Sequence, residues 1–432
     1  MRLSILAGAI LSLALHAAAA HAADPECDPL THAAVGDGVT DNTAAIQSAI
    51  DACEATYGGG VVRLSAVPGK TVYLTGPILL ANHIRLQLDK GVTLLGTADH
   101  TRFQIPSEDR FRAKEALVSA YQATDTGIIG PGIIDGQGGM PAADGGQSWW
   151  GPAEAATTEH SPRPYLVEFY GCTGVTVNDV TFRNAPMRNL VFRHSKGITV
   201  SELSINSPPD LRLADADGID LIGSSEATLI FLDVASGGDS VALKPALPGA
   251  AERQAPTHDV QIVNSRFSGG NGIVVGSGVY NVMANNIQAS RTAHALHIRP
   301  GDEYNIWLQN AALTDVRQPL MIGADGDAPA ASRPMAAGIH DVTILNLTAT
   351  GATQPSLIAG SPEACVRKVK LENVHIAGSS AAFQLRNVSG TFTNVTAALP
   401  PDVPPFVVQQ NVAIASVSAA LPMANGSSSP CD

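Results

Sequence analysis

From residue 174 onward the apolar and polar positions return to one short pattern: a three-residue β-type run, one or two polar residues, then another short β-type run. It reads GVTVNDVTF from Gly174, GITVSELSI from Gly197, ATLIFLDVA from Ala227, DVQIVNSRF from Asp259 and NVMANNIQA from Asn281. It continues as NIWLQNAAL from Asn305, DVTILNLTA from Asp341, KVKLENVHI from Lys368 and SGTFTNVTA from Ser389. Successive starts lie 21 to 36 residues apart, a base period near 22 with loops inserted. Repeats of that length built from such short strands predict a solenoid, here a parallel β-helix.

Sixth in most repeats stands an acid or an asparagine: Asp179, Glu202, Asn264, Asn286, Asn310, Asn346, Asn373 and Asn394, with Leu232 breaking the series in the third repeat. Asn tolerates the left-handed conformation of a sharp bend, and stacked Asn side chains can bond to one another, so this column is expected to be a turn ladder rather than a ligand site. Ahead of the repeats, Ile46, Ala49 and Ile50 keep helical spacing behind polar residues around Asn42, which predicts a short amphipathic helix capping the first coil. Gly58-Gly59-Gly60 then leads into the strand Val61-Val62-Arg63-Leu64 and lacks the spacing of a nucleotide-binding loop.

Between consecutive repeats a third strand begins with a polar residue: Arg188-Asn-Leu, Asp217-Gly-Ile, Asp239-Ser-Val, Asn271-Gly-Ile, His294-Ala-Leu and Gln318-Pro-Leu. Equivalent positions on adjacent coils sit about 4.8 Å apart, the spacing of paired strands. These six residues are therefore predicted to form one polar column in an exposed cleft, with Asp217 and Asp239 as immediate neighbours.

Composition narrows the picture without changing it. The chain has 432 residues, 45% hydrophobic, 15% charged and 5% aromatic, which excludes a disordered or collagenous polymer, while 41 Gly and 28 Pro fit a turn-rich β protein. Arg2, the apolar run Leu3 to Leu15 and Ala20-His21-Ala22 read as an export leader, residues 1–22. One all-β domain is expected over residues 23–400, followed by a tail over 401–432. Loss of the leader with its single Arg2 takes the formal net charge from −13 to −14. That balance argues against nucleic acid and anionic membranes as partners, and no later stretch approaches the roughly 20 apolar residues of a spanning helix. A secreted or periplasmic monomer is expected. Its five cysteines (Cys27, Cys53, Cys172, Cys365, Cys431) permit up to two disulfides, with Cys27–Cys53 as one option. There is no CxxC, HExxH or Cys/His cluster, so neither a metal nor another cofactor is expected.

Two neighbouring carboxylates repel, so one of the pair is expected to have a raised pKa and to serve in proton transfer, as in glycoside cleavage. Lys244 and Arg299 follow their column members by five residues and His297 follows by three, suitably placed to hold an anionic sugar.

At this point the residues resemble a known family. Gly36-Asp37-Gly38-Val39-Thr40-Asp41, Gly132-Ile133-Ile134-Asp135-Gly136-Gln137-Gly138, Trp149-Trp150, Asp217-Gly218-Ile219-Asp220 and Val241-Ala242-Leu243-Lys244 together resemble the polygalacturonases, pectin-degrading glycoside hydrolases. The resemblance runs from about Asp24 to Ala397. It implies a right-handed parallel β-helix of the pectin-lyase-like kind and a pectic polysaccharide as substrate. It also implies catalytic roles for Asp217 and Asp239 and substrate contacts from Asn271, His297 and Arg299, while Arg188, His294 and Lys244 are expected to touch substrate from their places in and beside the polar column.

Each of the family's four site motifs is altered here. Asn-Thr-Asp appears as Asp215-Ala216-Asp217, Gly-Asp-Asp as Gly237-Gly238-Asp239, Gly-His-Gly as Gly270-Asn271-Gly272, and Arg-Ile-Lys as His297-Ile298-Arg299. Gly238 thus occupies the position the family gives to its general acid. Asp215, two residues from Asp217 and expected to project beside it, is one replacement donor, and His297 is the other. Three functions compete: an inverting hydrolase of polygalacturonate or rhamnogalacturonan, a carbohydrate-binding β-helix that has lost turnover, and a polysaccharide lyase, disfavoured because no calcium-type carboxylate cluster is evident.

Overall fold

A computed structural model describes residues 24–104, 115–151, 162–208, 215–245, 256–323, 338–416 and 431; the leader over residues 1–22 lies outside the described residues. Three parallel ladders run the length of the molecule. One passes through Gly60–Leu64, Ile84–Leu88, Thr124–Ile129, Thr173–Asn178, Lys196–Ser201 and Ser225–Ile230. A second joins Val72–Thr75, Thr93–Gly96, Ile133–Asp135, Thr181–Arg183 and Ser204–Asn206. The third joins Ile78–Leu80, Val118–Tyr121, Val167–Tyr170, Leu190–Arg193 and Ile219–Ile222 to the end of Asp233–Lys244, and then His258–Val275, His294–Ile298 and Gln318–Gly323. This is a parallel β-helix, and the third ladder carries the polar column.

Alternation explains the core. In Thr173–Asn178, Val175 and Val177 turn inward and are buried, and Ile198 and Val200 stack on them from the next coil. Apolar side chains at equivalent positions thus form continuous columns through the interior, and each coil covers the open face of its neighbour.

The bends between strands follow the predicted ladder. Asp179, Glu202, Asn264, Asn286, Asn310, Asn346, Asn373 and Asn394 all have φ between 50° and 56°, the left-handed region. Asn286 donates to Asn264, Asn346 to Asn310, Asn373 to Asn346 and Asn394 to Asn373 at 2.8–3.0 Å. The third repeat corrects the alignment. Its bend residue is Phe231 (φ 56°) rather than Leu232, because that repeat begins at Glu226 (φ 54°), one residue earlier than its apolar run suggests. Leu232 points inward and is buried.

At the amino-terminal end the helix Thr43–Tyr57 buries Ile46, Ala49, Ile50 and Cys53, and ends at Gly58 (φ 73°). The cap at its start comes from Asp41, whose carboxylate accepts the Thr43 amide hydrogen at 2.9 Å, while the Asn42 side chain makes no cap bond. Cys27–Cys53 ties the preceding segment to this helix, and Cys365–Cys431 ties down the other end; Cys172 is a buried thiol. The ladder runs on past residue 400, where Phe406–Val408 pairs with Phe383–Arg386 and Val412–Ser416 with Val388–Ala398. Among the described residues no helix is long and apolar enough to cross a membrane.

Candidate active site

Register places the polar column as predicted. Ile219 pairs with Val241, which puts Asp217 and Asp239 two residues earlier on adjacent coils, and Asp239 pairs with Asn271 and His294 with Gln318. The contact between the two acids is direct: the Asp239 amide donates to Asp217 Oδ1 at 2.9 Å. Half of the column is buried rather than exposed, however: Arg188, Asp217 and Asp239 each retain 6–8% of their accessible surface, while Asn271, His294 and Gln318 are partly exposed. Carboxylates tolerate such burial because cations are packed against them.

Those cations are Lys244 and Arg188. Lys244 Nζ lies 2.8 Å from Asp217 Oδ2 and 3.0 Å from Asp220 Oδ1, and Arg188 Nε lies 2.9 Å from Asp220 Oδ2 and 3.7 Å from Asp217 Oδ2. Arg188 also reaches Asp215 at 3.3 Å and stacks over the Tyr165 ring. Both residues, expected to touch substrate, also hold the acids in place. The motif fragments farther away are structural. Asp135 is held by Arg183 and Asn184, Trp149 stacks on His100, and the Trp150 indole donates to the Ala185 carbonyl.

Asp220 is the residue that column reasoning passes over. It stands three positions after Asp217 on the outward parity of its strand, in line with Ala242, Val274 and His297, and is fully buried between Arg188 and Lys244. Its sequence signals were its place in the motif Asp217-Gly218-Ile219-Asp220 and its charge inside the otherwise apolar run Ile219–Ile222.

The environments of the two acids diverge. Burial raises the Asp217 carboxyl, but Lys244 and Arg188 together outweigh it and hold the group well below the usual carboxylate range. Asp239 is pushed up to about 6, first by burial and then by the charge on Asp217, against the hydrogen bond it accepts from Asn271 at 2.8 Å. Among the described residues its nearest cation is Arg299, at 3.8 Å from Oδ2. The expectation that one member of the pair is raised therefore falls on Asp239.

An open cleft of about 490 Å³ lies over this arrangement, lined by Arg188, Asp215, Asp217, Ile222, Gly238, Asp239, Lys244, Pro245 and Arg299. His294 and His297 do not line it; they sit two coils along from Asp239, in the strand that leads to Arg299, with ring centroids 5.2 Å apart. Burial, then His294 and Arg299, lowers His297 to about 4, so its imidazole is neutral over most of the working range. Asp215 adopts φ 58°, outside any strand, and its carboxylate turns to Arg188.

Comparison with known proteins agrees with this fold. The model of Glycosyl hydrolases family 28 matches residues 61–398. An endo-polygalacturonase of Pectobacterium parmentieri is 33% identical over 297 residues, covering 65% of this chain and 71% of its own length. Among solved structures, a family 28 exopolygalacturonase of Yersinia enterocolitica superposes with a TM-score of 0.76 at 20% identity, covering 92% of this chain and 80% of its own. The polygalacturonase of Erwinia carotovora ssp. carotovora superposes at 0.66 with 25% identity, covering 91% and 97%.

Proposed function

The chain belongs to glycosyl hydrolase family 28, and from that premise we propose that it is an exported hydrolase of pectic polysaccharide, cleaving polygalacturonate-type backbones by metal-independent single displacement. The observation that carries this reading is the carboxyl pair Asp217 and Asp239, on paired strands at the floor of an open cleft, with unlike proton affinities. Arg299, half exposed at the cleft wall, is the cation best placed to meet a galacturonate carboxylate. The similarity to enzymes named polygalacturonases favours a galacturonate homopolymer over rhamnogalacturonan. Two disulfides suit folding in an oxidising compartment, which supports export through the leader over residues 1–22.

The test is to incubate purified mature protein with polygalacturonate and with rhamnogalacturonan, with and without chelator, and to follow reducing ends and ultraviolet absorbance. New reducing ends without an unsaturated product, insensitive to chelator and faster on polygalacturonate, are expected. An unsaturated product points to a lyase, and affinity without turnover points to a binding protein.

A further inference from the structure

We propose that Asp239 is the proton donor to the departing glycosidic oxygen, with Asp217 accepting the proton of the attacking water, so that two carboxyls do the work in this chain without a side chain at position 238. The assignment rests on the hydrolase reading above.

Geometry closes position 238 on the side of Asp217 and Ala216. A Cβ on Gly238 would stand 2.5 Å from Asp217 Oδ1 and 2.8–2.9 Å from the Ala216 carbonyl group. Opposite, a Cβ on Gly270 would run into the carbonyl oxygens of Gly237 and Gly238. The segment is pinned between neighbouring coils, where the strand register shifts between Ser236 and Asp239. No acid fits there without displacing Asp217.

The remaining carboxyls divide the labour by their contacts. Asp217 receives the Asp239 amide on one oxygen and the Lys244 ammonium on the other, with the Arg188 guanidinium beyond. Surrounded by donors, it stays ionised, and each oxygen retains a lone pair for water. Asp239 lines the cleft and receives Asn271 on Oδ1, while Oδ2 has Arg299 at 3.8 Å, beyond hydrogen-bond length. Oδ2 is the position where a proton can reside and be passed on. The charged groups facing Asp239 are Asp217 from the preceding coil, Lys244 from its own strand and Arg299 from two coils along; the first favours the proton and the other two oppose it. Asp215 is turned to Arg188, and His297 is neutral and outside the cleft lining, so neither rival is placed to donate.

In the step itself the Asp239 proton moves to the glycosidic oxygen as the bond from the anomeric carbon to that oxygen breaks and its electron pair stays on the oxygen. The water oxygen bonds to the anomeric carbon, and its proton goes to Asp217. Solvent then returns a proton to Asp239 and takes one from Asp217, which restores both groups.

Two measurements on the full mature chain test the assignment. For the wild type, kcat/KM on polygalacturonate is expected to fall as pH rises through about 6, and this alkaline limb should largely vanish on an aryl galacturonide whose leaving group needs no proton. Asp239→Asn is expected to lose about 10²- to 10⁴-fold on the polymer and recover most of that on the aryl substrate, whereas Asp217→Asn stays slow on both. An alkaline limb of the same height on both substrates overturns the assignment, whether or not the variants fold, and so does an Asp239→Asn protein that keeps wild-type rates on polymer. A wild type that hydrolyses while either result appears sinks the assignment alone; one that releases no reducing ends from any pectic polymer sinks the hydrolase reading with it.

Discussion

Gly238 shows how much one missing side chain constrains its surroundings. Because its Cβ site lies 2.5 Å from Asp217 Oδ1 and against Ala216 backbone, Gly238→Ala must push either the acid or the coil aside. Overpacking of this kind costs about 1–3 kcal/mol, and a displaced Asp217 loses its Lys244 contact, so both the melting temperature and kcat should fall. Gly238→Asp should likewise fall below wild type; a rise in turnover on polygalacturonate would show that the coil opens to admit the acid. Glu303 presents a separate problem. It is fully buried, accepts the Gly278 amide at 3.1 Å, and burial pushes its carboxyl up to about 8. The folded chain therefore keeps this proton to about pH 8 while the unfolded chain releases it near 4.5, so the stabilisation is full below 4.5 and lost as pH rises through about 8. A span of that size corresponds to a few kcal/mol. Glu303→Gln, which retains the acceptor for Gly278, should flatten the decline in melting temperature between pH 5 and 8; an unchanged slope would exclude Glu303 as its source.

Elements of this fold are defined by their bends, and the bend after Ser225–Ile230 is the least well suited to its residue. Phe231 holds φ 56° with half its surface exposed, where neighbouring coils place Glu202 and Asn264. A left-handed conformation costs an ordinary residue about 1–2 kcal/mol, and Asn much less, so Phe231→Asn should raise stability by about 1 kcal/mol in denaturant titration. A lower midpoint would mean that the ring makes contacts worth more than the backbone relief. The same bend marks the limit of what sequence reveals. Repeat spacing, the Asn ladder and the polar column were legible because each depends on period, and the parallel register reproduced Asp217 beside Asp239. Contacts that cross the period were not. The pairing of Arg188 and Lys244 with Asp220, the turning of Asp215 toward Arg188, and the closing of position 238 by Asp217 each involve residues from different coils whose side-chain directions no spacing specifies.

A solenoid contacts itself only through neighbouring coils, so the whole molecule is weakest where a neighbour is missing, at its two ends. Both ends are covalently secured. Cys27–Cys53 closes a 26-residue loop onto the capping helix, and Cys365–Cys431 closes 66 residues over the last coils. In a chain-entropy view such loops contribute about 3–4 kcal/mol each. The carboxyl pair lies between them, on coils paired on both sides: Ile219–Ile222 with Leu190–Arg193 and Val241–Lys244, and these in turn with Ile273–Val275. Breaking the bridges should therefore loosen the ends before it reaches the site. For a Cys27→Ser, Cys365→Ser double variant, amide hydrogens of Gly60–Leu64 and Val388–Ala398 should exchange faster and the melting temperature should drop, while kcat at 25 °C changes by less than about twofold, since the central pairings are intact. Should kcat fall in parallel with terminal exchange, the coils would be opening as one cooperative unit, and the independence of the site from the ends would have to be abandoned.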